Sequence, residues 1–358
     1  MMFYVIALCL LLAQIGAVCA QSIVPEKKPF RIAMALWRGE TDIDKSFKQY
    51  FRIKNIDVEF EYFDAKSNKD NLPLIVTQIK EKKPDLIFSW GTTVTEKLVG
   101  SYESFQRGDL SYIRDIPVVF TIVSYPFDKL AVDKYSGRNI TGSSHLASLS
   151  NQINAIRSYK EFTRLGIIYN SEEDNSKANV KELRELAQQE RFMFIERSIP
   201  LDAKGQPIPE MIPSVLEEIA AQVDVLYMGP DSFTAGAHQR VTTLTALWLR
   251  VMTFTSTESA IEKEGGYASI GLVSTYKSLG QFAAYQAEQI LLHGKKPEEI
   301  PIEPLKKFTF IVNTPSINYL ANYPPLFVAG YAKYQQRAEH VELVKRLRDK
   351  RPLTFKWP

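Results

Sequence analysis

Short apolar runs alternate with longer amphipathic stretches from residue 31 onward, and that alternation leaves few folds open. Residues 31–36 read as a strand. Residues 42–51 read as a helix, with Ile43, Phe47 and Tyr50 at helical spacing. Val58, Phe60 and Tyr62 alternate as in a half-buried strand, and residues 72–83 are helical. The stretch 85–98, DLIFSWGTTVTEKL, reads as a buried strand through Leu86, Ile87 and Phe88 that breaks at Gly91 and opens a helix. A strand over 117–123 follows. Near residues 139–142 the pattern restarts: helix 146–159, strand 164–169, helix 175–189, strand 192–195, helix 209–222, strand 223–228, helix 232–248 and strand 251–254. Such alternation builds parallel sheets covered by helices. Two sets of it predict an α/β protein of two similar Rossmann-like lobes. Beyond Thr255 come a short helix, a strand over 267–271, a long helix over 276–293, a late strand over 308–312 and a charged, helical tail from Ala338.

A chain of 358 residues with 45% hydrophobic content can bury two cores of this kind. The net charge of +3 is spread along the chain, which excludes the basic face a nucleic-acid groove needs. The basic runs at 80–83 and 346–351 read as solvated helix surface. Residues 1–20 are an apolar run ending in Val18-Cys19-Ala20, which suits signal-peptide cleavage before Gln21. Two other readings stand beside it. A retained anchor is opposed by the shortness of the run, and lipidation at Cys19 by the bulk of Val18. No Lys or Arg precedes the apolar core, which is atypical of a signal peptide. The expected location is the periplasm. Cys9 and Cys19 both lie in this leader, so the cleaved chain would hold no disulfide, thiol nucleophile or thiolate metal site.

The turn at 90–93 is the first candidate site. Thr93 and Glu96 have the spacing of a capping box. A helix start at the carboxyl end of a strand is where open α/β sheets bind ligands, and its free N–H groups favour an anion. Trp90 puts a large ring at the same rim. Equivalent strand-end turns are Ser124-Tyr125-Pro126, Tyr169-Asn170-Ser171, Pro230-Asp231-Ser232 and Thr255-Ser256-Thr257-Glu258. Catalytic signals are poor. None of the four histidines, His145, His238, His293 and His340, has metal-ligand spacing, and no HExxH, GxSxG, phosphate-loop or GxGxxG motif is present. Glu172-Glu173-Asp174 could bind a hard cation, but an acidic first turn facing the helix dipole explains it better. The expectation is a binding protein without metal or cofactor, not an enzyme.

Taken in order, these segments resemble the ABC-transporter substrate-binding family of exported two-lobe proteins, whose characterised members bind aromatic amino acids. The carrying segments are 84–92, 116–126, Gly137-Arg138-Asn139-Ile140-Thr141-Gly142, 164–170 with Asn175-Ser176, 224–231, Leu279-Gly280 and Gly294-Lys295-Lys296-Pro297. The resemblance implies a type I periplasmic-binding-protein fold, with residues 29–143 and 255–302 in an N-terminal lobe, 144–254 and 303–325 in a C-terminal lobe, and 326–358 as a tail. It implies that Gly91, Thr92, Thr93, Ser124, Asn170 and Asp231 border a small-molecule ligand. In the family an acidic residue commonly follows the serine; here Tyr125 stands there, a ring beside Trp37, Trp90 and Phe233. An aromatic-walled cleft suits a flat or apolar ligand. The implied partner is an ABC permease in the inner membrane. The missing carboxylate and the basic tail motivate a second role, sensing for a membrane receptor, while a hydrolase on this fold lacks a nucleophile–histidine pair.

Overall fold

The computed structural model describes residues 28–262, 265–323, 325, 328 and 330–348. The leader and the last ten residues of the tail lie outside them.

Strands β1 (Phe30–Leu36), β2 (Val58–Asp64), β3 (Leu86–Trp90), β4 (Val118–Thr121) and β5 (Ile140–Gly142) form one parallel sheet in the order β2-β1-β3-β4-β5. The second sheet holds β6 (Arg164–Tyr169), β7 (Met193–Ser198), β8 (Val225–Met228), β9 (Met252–Thr255), β10 (Ile270–Val273), β11 (Thr309–Asn313) and β12 (Lys333–Gln335). Its order is β12-β11-β10-β9-β8-β6-β7. The run β7-β6-β8-β9-β10 repeats the topology of the first sheet five strands later. Only the appended β11 runs antiparallel to its neighbour β10, and β12 runs parallel to β11.

The helices are α1 (Asp42–Ile53), α2 (Leu72–Lys82), α3 (Thr92–Val99), α4 (Tyr102–Gln106), α5 (Pro126–Lys129), α6 (Leu149–Tyr159), α7 (Asp174–Glu190), α8 (Ile212–Ala220), α9 (Gln239–Trp248), α10 (Tyr276–Leu291), α11 (Thr314–Tyr319) and α12 (Glu339–Arg348). Alternation along the strands sends side chains to two covered faces. Ala33, Ala35, Ile87, Val118 and Phe120 pack with Ile75 and Ile79 of α2 and Val94 and Leu98 of α3. Ile32, Met34, Leu86, Phe88 and Val119 pack with Ile43, Phe47 and Phe51 of α1 and Leu279, Ala283 and Ala287 of α10. This double cover explains why β3 and β4 are buried at every position. The second sheet is covered likewise, by α6 and α7 on one face and by α8 with Ala246 of α9 on the other.

Among the described residues the chain crosses between the sheets three times, at 142–149, 273–276 and 302–309. One expectation is corrected here. The segment 255–302 does not belong as a whole with the first sheet, because β10 bonds β9 and β11 in the second. Only α10 and the residues after it return to the first sheet, where Thr141 Oγ1 donates to the Ile300 carbonyl at 2.9 Å. The sequence could not separate the two because a fully buried parallel strand looks alike in either sheet. The tail is helical over α12, as read, and it is docked. Val341 and Val344 pack on Leu244 and Leu247 of α9, and the buried His340 ring stacks on Tyr267 with centroids 4.4 Å apart. Among the described residues no helix is long and apolar enough to cross a membrane.

Candidate functional site

In a sheet ordered 2-1-3-4-5, the crevice opens where the connections switch sides, beyond the carboxyl ends of its first and third strands. Here those ends are β1 and β3 in the first sheet and β6 and β8 in the second. Both crevices open on one cavity of about 520 Å³, bordered by residues from the two sheets.

The first wall begins with Trp37 and Arg38, directly after β1, and continues with Trp90, Gly91, Thr92 and Thr93. Gly91 has φ of 90°, a conformation that disfavours a side chain, and it is itself the N-cap of α3. The capping box expected from Thr93 and Glu96 is therefore not formed; Thr93 lies inside the first turn. The nearby polar side chain is Thr95, whose Oγ1 donates to the Gly91 carbonyl at 2.8 Å and lies 2.7 Å from Ser89 Oγ. No side chain caps the start of α3, so its first N–H groups border the cavity uncapped. Trp90 is 7% exposed, and its indole N–H has no partner among the described residues. The Arg38 guanidinium lies over the Trp90 ring, 5.6 Å from its centroid.

The second wall holds Asn170, Asp231 and Phe233. Asp231 is 5% exposed and spends both oxygens inside the protein. Oδ2 accepts from the Asn170 N–H at 2.7 Å and Ser176 Oγ at 2.8 Å; Oδ1 accepts from the N–H groups of Phe233 at 2.9 Å and Thr234 at 2.6 Å. It thus ties two strand-end turns together. The side-chain oxygen of Asn170 accepts the Glu172 N–H at 3.0 Å, leaving its amide NH2 as the group it has to offer. Glu173 accepts from the N–H and hydroxyl of Ser232, both at 2.9 Å. Burial, and then the Asp231 charge, push its carboxyl well above the ordinary range.

Ser124 borders the cavity, and Tyr125 does not. Tyr125 is the N-cap of the single-turn α5, and its hydroxyl accepts from Asn179 Nδ2 of α7 at 2.9 Å. Burial pushes the phenol well above its usual value of 10. Its hydroxyl thus links a turn of the first sheet to α7 of the second, and the ring does not border the cavity, a correction to the sequence reading. Beside it Lys129 pairs with Asp174 across the same gap and with Glu96 at 3.7 Å.

Sequence reasoning missed Arg38, His145, Ser259 and Tyr276, all of which border the cavity. Arg38 could have been found, since it follows Trp37 at a strand end. His145 stands on the first crossing. Burial lowers its imidazole to about 4, so the ring is neutral, and Nδ1 has no partner among the described residues. Tyr276 opens α10, whose preceding strand was placed two to three residues early. Among the described residues no cluster of His, Cys, Asp and Glu could hold a metal ion.

Residues 43–321 match the sequence pattern of the family described as ABC transporter substrate binding protein. The chain belongs to that family. Within reach of this ABC substrate-binding chain are several relatives. A tyrosine-binding protein of Clostridioides difficile is 23% identical over 280 residues, 77% of this chain and 73% of the relative. A conserved domain protein of Vibrio cholerae superposes with a TM-score of 0.71 at 20% identity, covering 86% of this chain and 100% of the other. The ABC domain from Streptococcus pneumoniae in complex with L-Trp also gives 0.71, at 18% identity, covering 86% and 99%. At these identities the superpositions bear on the fold, and they match the two-lobe architecture described above.

Proposed function

We propose that this chain is the capture component of an ABC uptake system, working outside the cytoplasm. It takes a small organic ligand, aromatic or amino-acid-like, into the cleft between its lobes and hands it to a membrane permease. The lobes close about the three crossings, a hinge motion of the kind that ligands drive in two-lobe binders. The observation that supports this reading most is that the switch points of both sheets open on one cavity edged by Trp37, Trp90, Phe233 and Tyr276. The ligands after which two of these proteins are described, tyrosine and L-Trp, agree with aromatic walls. In this reading Gly91, Thr92, Thr93, Ser124 and Asn170 place polar contacts, and Asp231 holds the second wall in shape. The protein turns nothing over.

A thermal-shift screen of the purified protein against amino acids, aromatic acids, purines, sugars and small amides tests it. A ligand at 100 times its dissociation constant is expected to stabilise by about 2.7 kcal/mol and to be recovered unchanged. Chemical turnover of the ligand, or no shift from any class, would count against the proposal.

A further inference from the structure

The charge of the cavity narrows the ligand further; this step rests on the reading just given. Arg38 borders the cavity, covers one face of Trp90, hydrogen-bonds the Tyr276 side chain and forms no ion pair among the described residues. The acidic groups nearby are differently placed. Asp231 has each oxygen engaged by two donors. Glu173 spends Oε2 on the Ser232 N–H and hydroxyl, with Oε1 3.2 Å from the same N–H. Glu258 accepts the Tyr276 N–H at 2.5 Å and does not border the cavity. Asp70 and Glu172 sit at the solvent-exposed rim, where water screens them.

An ammonium group entering this cavity would lose water and meet only Asp231, whose lone pairs are taken, and Glu173, whose carboxyl is raised to about 7 by burial and the Asp231 charge and so offers less than a full negative charge, which is costly. A carboxylate would find the Arg38 fork, the N–H groups opening α3, and the buried Trp90 N–H. The neutral His145 ring adds a hydrogen-bonding nitrogen and no charge. The two buried polar atoms, Trp90 Nε1 and His145 Nδ1, are the kind of group a native interior leaves unpaired only where something else completes it. We propose that the cleft selects a planar aromatic carboxylate lacking an ammonium group, and that Arg38 sets this preference.

The test is calorimetric titration of the whole protein with matched sets: phenylpropionate, hydroxyphenylpropionate and indolepropionate; L-Phe, L-Tyr and L-Trp; phenethylamine, tyramine and tryptamine. At least one acid is expected to bind about tenfold or more tightly than its amino acid, with its amine weakest, because an unpaired buried donor costs that much. Arg38→Gln should lower the acid's affinity about tenfold and shrink the gap between acid and amino acid. Arg38→Lys should restore part of it, with thermal stability unchanged in both variants. An amino acid that matches or beats its deaminated partner overturns the inference while leaving the capture role standing. An acid preference indifferent to Arg38→Gln overturns the assignment to Arg38. If none of the nine binds, the inference falls, and the capture role is then judged by the wider screen alone.

Discussion

At the scale of single residues, Asp231 stands on the cavity while its carboxylate is spent within the protein. The sequence puts it at a strand-end turn beside the ligand, and it does border the cavity. Its carboxylate, however, already accepts four hydrogen bonds from Asn170, Ser176, Phe233 and Thr234. Asp231→Ala would strand those buried donors. We expect a loss of about 3 kcal/mol in denaturant unfolding, with Asp231→Asn recovering part of it. A stability unchanged by Asp231→Ala would mean the turn does not depend on this group. Arg38 and His145 escaped notice for the opposite reason. Neither carries a motif; Arg38 had only its strand-end position after Trp37 to mark it, and His145, on a crossing, acquires meaning only when a tertiary cavity forms around it. Tyr125 was read as a wall because strand-end position predicts the rim, but not which way a side chain turns once a partner such as Asn179 is available.

At the scale of elements, the alternation of strands and helices was legible almost throughout, since buried parallel strands and amphipathic helices differ in period. Assignment of an element to one lobe was not, because contacts distant in sequence decide it. The docking of α10 onto α1 is such a contact. A Cβ added to Gly280 would lie 2.1 Å from both the Ile43 carbonyl oxygen and Ser46 Oγ. Gly280→Ala should therefore push the helices apart and cost about 1–3 kcal/mol, read by chemical denaturation. The docked tail carries a pH-dependent contact. Burial lowers His340 from 6.5 to about 4, and its Nε2 lies 2.8 Å from Ser316 Oγ. A histidine depressed on folding contributes stability that is complete above its unfolded value and is lost as the pH falls from about 6.5 towards 4. His145 acts in the same direction; Asp44 and Glu173, raised by burial, act in the opposite one. The difference in melting temperature between wild type and His340→Gln isolates the one group. That advantage should shrink between pH 7 and pH 4.5. An advantage that holds constant across the range would show that the ring does not stay neutral in the folded state.

At the scale of the whole molecule, the two sheets repeat one strand order, and that repetition places the cleft. A doubly wound sheet has one switch point, so two facing sheets have two, and the chain crosses between them close by. The sequence showed the restart near residue 140 and therefore two lobes. It could not show that the crevices face each other, nor the charge they enclose together. The central claim is that a ligand sits between the opening turn of α3 and the aromatic rings beside it. Of the four tryptophans, Trp37 and Trp90 border the cavity, so binding should change the intrinsic fluorescence. Thr92 is the first residue of α3, a position where proline is tolerated, and Thr92→Pro removes one N–H from the cavity while leaving the helix intact. The decisive measurement is a fluorescence titration of wild type and Thr92→Pro with the best ligand from the screen. The account predicts a saturable signal in the wild type and an affinity about tenfold weaker in the variant, for loss of one charge-assisted donor. A titration in which the two proteins bind equally would contradict it.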